Sequence, residues 1–121
     1  MLGALGKSRT VSEFLRLGYD VFQEYDGKSP FDLAVYRDNA FSRVECKSTA
    51  TRTRHDTGWL VELKRVRANT KSNIIKNFDN TSCEFLSIYI EPIDRVIIIP
   101  ASEITNKSQI AIRDSFVDTN D

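Results

Sequence analysis

The stretch Ser29-Pro30-Phe31-Asp32-Leu33-Ala34-Val35-Tyr36-Arg37-Asp38-Asn39-Ala40-Phe41-Ser42-Arg43-Val44-Glu45-Cys46-Lys47 decides how this chain folds. Apolar residues recur at alternate positions near both ends of it, as in strands that turn one face to a core. Asp and Asn both tolerate positive φ, so Asp38-Asn39 is predicted to be a two-residue hairpin loop. Tyr36 then faces Phe41, Leu33 faces Val44, and Asp32 faces Glu45. One side of the hairpin gathers Phe31, Leu33, Val35, Val44 and Cys46; the other gathers Asp32, Arg43, Glu45 and Lys47. Opposed carboxylates repel across a ladder unless a cation sits between them. With an ammonium one strand step away, they form a site for a hard divalent cation and an attacking water, chemistry suited to a phosphodiester. The alternative is two solvated charges on an exposed sheet face.

Working outward, 121 residues suffice for one core and not for two. The 40% apolar and 28% charged content is ordinary for a soluble globular chain. A formal net charge of zero argues at first against a nucleic-acid partner. Its distribution argues the other way. Residues 47–76 carry eight basic side chains (Lys47, Arg52, Arg54, Lys64, Arg65, Arg67, Lys71, Lys76) against Asp56 and Glu62, hence +6 there and −6 elsewhere. A basic middle beside the carboxylate strand suits a phosphate backbone, although a solvated charged loop has the same composition. Arg52, Arg54, Arg65, Arg67 and Lys71 are the candidate DNA contacts, setting position rather than reading bases. The lone His55 lies in this loop and reads as solvated, with a general base as the alternative.

Asp32 followed by Glu45-x-Lys47 on the next strand resembles the signature of the PD-(D/E)XK nuclease superfamily, the restriction-endonuclease-like proteins. Gly6, Gly18-Tyr19-Asp20-Val21, and the strand Ile97-Ile98-Ile99-Pro100 leading into Glu103-Ile104 extend the likeness over about residues 3–105. Among small members it is similar to group I intron homing endonucleases and archaeal Holliday junction resolvases. The resemblance implies an α/β (α+β) fold in αβββαβ order, with a central mixed sheet flanked by helices. It implies a homing- or restriction-type DNA endonuclease in which Asp32, Glu45 and the Cys46 carbonyl hold Mg2+ (or Mn2+) and Lys47 completes the catalytic set. It leaves open a junction resolvase or an inactive DNA-binding protein of the same fold. Partners implied are double-stranded or branched DNA and, for cutting both strands, a homodimer or homotetramer. The setting implied is cytoplasmic, encoded by a bacterium, archaeon or phage.

One position departs from the family pattern. The residue after Gly6 is usually acidic and assists the metal, and here it is Lys7. Lys7, Val11 and Phe14 fall at spacings of four and three, so Lys7 is expected on the helix stripe that faces the sheet. A cation there opposes divalent binding and marks an attenuated or inactive copy, unless the helix phase is off by one and Lys7 is solvated.

The remainder reads as follows. Residues 3–17 form a helix with Val11, Phe14 and Leu15 inward, ended by Gly18. Residues 19–25 form a strand, 49–57 a mobile loop, 59–66 a further strand and 70–77 a short helix. Residues 85–90 and 95–99 pair as strands, and 101–105 begin a short helix. Residues 106–121 form a polar tail, with Ile110, Ile112 and Phe116 either offered to an oligomer or DNA contact or packed on the same chain. No apolar run approaches the roughly 20 residues of a membrane span, so no membrane partner is expected. Cys46 and Cys83 read as reduced, without metal-ligand spacing.

Overall fold

The structure, a computed structural model, describes residues 2–25, 29, 31–68, 73–105 and 107–119; for 2, 65–68 and 73–76 it describes the backbone alone. Helix α1 (Leu2–Arg16) leads into strands β1 (Asp20–Gln23), β2 (Leu33–Arg37) and β3 (Ala40–Thr49). Asp38 and Asn39 take φ of 54° and 64°, the left-handed values a two-residue hairpin needs. The expected register holds from Arg37↔Ala40 to Leu33↔Val44. It ends one residue before Asp32, whose N–H bonds the Val44 carbonyl at 3.0 Å.

Strand β4 (Thr51–Arg52) and β5 (Gly58–Glu62) pair antiparallel, as do β6 (Arg65–Ala68) and β7 (Asn73–Lys76). The chain returns as β8 (Phe85–Ile90), parallel to β3, and then β9 (Arg95–Pro100), antiparallel to β8. The main sheet is therefore mixed, in the order β1-β2-β3-β8-β9. Strand β10 (Gln109–Arg113) joins β5 and β4 in a second sheet, and α2 (Asp114–Thr119) follows. No described helix is long and apolar enough to cross a membrane.

Two apolar cores lie on the two faces of the main sheet. Under α1, Phe14 packs with Leu33, Val35 and Val44, edged by Val11, Tyr19, Val21 and Cys46. Between the sheets, Leu86, Ile88 and Ile90 of β8 meet Trp59, Val61, Leu63, Ile112 and Val117. Each fully buried side chain of this size contributes about 1.5–3 kcal/mol, so neither layer is dispensable. Strand β3 separates the layers by its alternation. Val44 and Cys46 belong to the α1 side, while Glu45 and Lys47 share the side on which their β8 partners Leu86 and Ile88 enter the second core.

The α+β class and mixed sheet are as expected, but several local readings are corrected. Leu15 is 55% exposed, and Thr10 takes the inward position instead. The loop expected over 49–57 contributes β4, with Thr49 Oγ1 donating to the Leu60 carbonyl. The helix expected over 70–77 is a strand in its described part, β7, because residues 65–68 offer it a ladder. The packed body also does not stop at 105: Ile112 and Val117 are buried in the second core, so Ile112 is not on offer to a partner.

Candidate active site

Helix α1 approaches the sheet closely at Gly6, where an added Cβ would lie 2.0 Å from Ser48 Oγ. One turn on, the Thr10 and Ser87 hydroxyls, both fully buried, bond at 2.7 Å and tie the helix to β8. Gly18, at φ 92°, ends the helix, and the Tyr19 N–H returns to the Phe14 carbonyl. This anchoring fixes the helix phase. Lys7 faces the sheet, and its Nζ lies 3.9 Å from Asp32 Oδ1.

Asp32 is held from a second side. The Cys46 N–H donates to Asp32 Oδ2 at 2.8 Å. The carboxylate thus does at the strand end what a ladder carbonyl would otherwise do, a substitution open to short acidic side chains. It sits against the Cys46 peptide rather than simply across from Glu45, which is a correction to the extrapolated register. Burial first, and then the Asp32 charge, push the Cys46 thiol up to about 12, so it is a neutral packing group and no nucleophile.

Glu45 is 2% exposed, with Lys47 Nζ 3.8 Å from its Oε2. Burial pulls the Lys47 ammonium below its ordinary value, and the charges of Asp32 and Glu62 oppose that shift. Lys47 is therefore coupled to both carboxylates, to Glu45 by contact and to Asp32 through its field. Burying a carboxylate this deeply is costly unless cations or donors answer it. Were Asp32, Glu45 and the Cys46 carbonyl to act as ligands, as the family resemblance implies, the set would be all oxygen, which fits a hard cation that also takes waters or phosphate oxygens. Among the described residues there is no group of three or more His, Cys, Asp or Glu suited to a metal. A cation here would rest on two carboxylates, which Mg2+ tolerates better than Zn2+ does.

The candidate DNA contacts separate. Arg52 is engaged within the chain: its guanidinium bonds both carboxylate oxygens of Asp114 at 2.8 and 2.7 Å and Asp56 at 2.7 Å, and stacks 4.5 Å from the Trp59 ring centre. It fastens α2 to the β4–β5 turn, which is a different task from the phosphate contact expected of it. Arg54 and His55 are exposed in that turn. Arg65 and Arg67 lie on β6 with their side chains outside the description, and Lys71 lies outside the described residues.

Sequence reasoning missed the wall opposite Asp32. A cleft of about 640 Å3 beside it is lined by Lys7, Ser8 and Ser12 of α1, Gln23 of β1 and Cys46. The helical spacing of residues 4, 7, 8, 11 and 12 was the available signal, since these form one stripe.

A hairpin feeding a mixed sheet, a helix clamped over it, and an acid-x-lysine strand at the clamp define the restriction-endonuclease-like class. The sequence profile of the PD-(D/E)XK endonuclease family matches residues 1–118, and the chain belongs to that family. Its fold is similar to that of the bacterial homing endonuclease I-Ssp6803I, with a TM-score of 0.76 at 17% identity, over 92% of this chain and 75% of that one. No curated protein matches the sequence.

Proposed function

We propose that the protein is a Mg2+-dependent DNA endonuclease of site-specific homing or restriction type, with Mn2+ able to substitute. The observation that supports this is at β3: Lys47 Nζ stands 3.8 Å from buried Glu45 and lies in the field of Asp32, whose Oδ2 accepts the Cys46 N–H at 2.8 Å. Asp32, Glu45 and the Cys46 carbonyl would hold the cation. When bound, it supplies Lewis acidity toward a phosphoryl oxygen and a more acidic water. Lys47 orients that water and offsets the charge that builds on the phosphoryl oxygens during attack. The buried flank of Glu45 excludes bulk water, which strengthens each of these interactions.

The substrate proposed is duplex DNA in a cytoplasmic setting. Family membership supports DNA as the substrate. Cutting both strands requires two such sites, so a homodimer or homotetramer is part of the proposal. The Lys7–Asp32 pair favours a second reading, an inactive DNA-binding protein on the same fold.

Nicking of supercoiled plasmid in Mg2+ tests the proposal. The expected result is cleavage that Asp32→Ala and Glu45→Gln abolish while salt-sensitive DNA binding persists. Binding without cleavage at any Mg2+ or Mn2+ concentration would favour the inactive reading. Preference for four-way junctions over linear duplex of any sequence would favour a resolvase.

A further inference from the structure

The proposed metal ligand Asp32 already has a cation beside it. Lys7 Nζ is 3.9 Å from Oδ1, and both side chains are about a third exposed, at 37% and 36%. Asp32 cannot turn away, because its other oxygen accepts the Cys46 N–H. Lys7 has more freedom: its four-carbon stem rises from a fixed helix, and its compact ammonium has no planar fork to align. What it can move toward is the cleft. The lining there adds the hydroxyls of Ser8 and Ser12 and the amide of Gln23, and among the described residues Asp32 is its one carboxylate. Hydroxyl and amide donors around an ammonium suit one phosphate of a nucleic-acid backbone.

We infer that Lys7 couples cation binding to DNA binding: it neutralises Asp32 in the free protein and passes to a backbone phosphate in the cleft, leaving Asp32 to the divalent ion. This rests on the proposed role of Asp32 as a metal ligand. The coupling follows from charge alone. Free of DNA, a divalent ion must displace or sit beside a resident ammonium, so its affinity is low. Once a phosphate holds Lys7, that opposition is relieved. Linkage requires the reverse effect to be equal, so the ion tightens DNA binding by the same factor that DNA tightens ion binding. Lys7 thereby serves as a positioning residue that keeps the site empty until substrate arrives.

The test measures binding, not turnover. Mn2+ affinity is read by electron paramagnetic resonance of the free ion, with and without a duplex carrying a non-hydrolysable backbone. The proteins are the wild type, Lys7→Met, Lys7→Gln and Asp32→Asn, with thermal melts confirming that each is folded. The expected result is Mn2+ binding about tenfold tighter to both uncharged Lys7 variants than to the wild type without DNA. The enhancement of Mn2+ affinity by DNA should shrink by that same factor. Unchanged or weaker Mn2+ binding in both Lys7 variants overturns the inference. Asp32→Asn reports separately: if it binds Mn2+ as well as the wild type does, the metal-ligand reading fails first.

Discussion

Thr10→Val should loosen α1 from the sheet through one lost hydroxyl. Thr10 and Ser87 are both fully buried, and their 2.7 Å bond joins the helix to β8 at the centre of the main sheet. Valine keeps the branched shape and volume, so no cavity forms and the packing of Phe14 is undisturbed. What changes is polarity: the Ser87 hydroxyl stays buried without the hydroxyl it now faces. Stranding a buried donor or acceptor costs about 1–3 kcal/mol. The Cys46 thiol also uses the Thr10 side chain, which places the effect toward the upper half of that range. Ser87→Ala should cost less, about 1 kcal/mol, because Thr10 keeps the thiol as a partner. In the double variant both stranded groups are gone, so its cost should fall below the sum of the singles by about 1 kcal/mol. Urea unfolding followed by fluorescence of Trp59, the one tryptophan of the chain, gives all three values. A Thr10→Val cost of that size should lower Tm by roughly 8–12 °C. Additive single-variant costs, or a neutral Thr10→Val, would refute the view that this pair anchors the helix.

The two arginines of the β4–β5 region should part company on substitution. Arg54→Ala should reduce the salt slope of DNA binding by about 1 and leave Tm unchanged. Arg52→Gln should lower Tm and leave the salt slope alone, and the opposite pattern would return Arg52 to the DNA surface. Acid should destabilise the protein through specific carboxylates. Arg52 holds the Asp114 carboxyl below its ordinary value, Tyr89 with Arg9 does so for Asp94, and Arg43 does so for Glu84. Each folded value lies below the unfolded one, so this stability is complete above about pH 4–5 and is lost as pH falls through the folded values. Tm measured against pH should show that acid limb, shallower in Arg52→Gln; identical limbs would contradict the assignment. Lys47→Met should retain DNA and Mn2+ binding while slowing cleavage about 100-fold or more, and loss of Mn2+ binding instead would make Lys47 a structural partner of Glu45.

Much of the site was legible because it depends on local rules. Asp38-Asn39 fixes the hairpin, the hairpin fixes Leu33 against Val44, and period two then puts Glu45 and Lys47 on one side of β3. The helix stripe likewise placed Lys7 toward the sheet. What the sequence concealed depends on distant partners. Asn73–Lys76 has helix-compatible neighbours, but a strand conformation is selected by the ladder that residues 65–68 provide. Arg52 looked like a phosphate ligand because its partner Asp114 lies 62 residues away. The segment after residue 105 looked like a tail because Ile110 and Ile112 stand among polar residues. Their period-two spacing is nonetheless that of a strand, and β5 is where it docks. Asp32 left the register because its side chain competes with the ladder for the Cys46 N–H, a local exception that alternation cannot express.

Asp32 and Glu45 are proposed to be ligands of one divalent ion. A crystal of the protein soaked in Ca2+, or in Mn2+ for its anomalous signal, tests it with no assumption about substrate. One peak is expected within about 2.0–2.6 Å of an oxygen from each carboxylate and of the Cys46 carbonyl, with Lys7 displaced from Asp32. An ion bound elsewhere at saturating concentration, or carboxylates that stay without an ion in a Lys7→Gln crystal under the same soak, would contradict it.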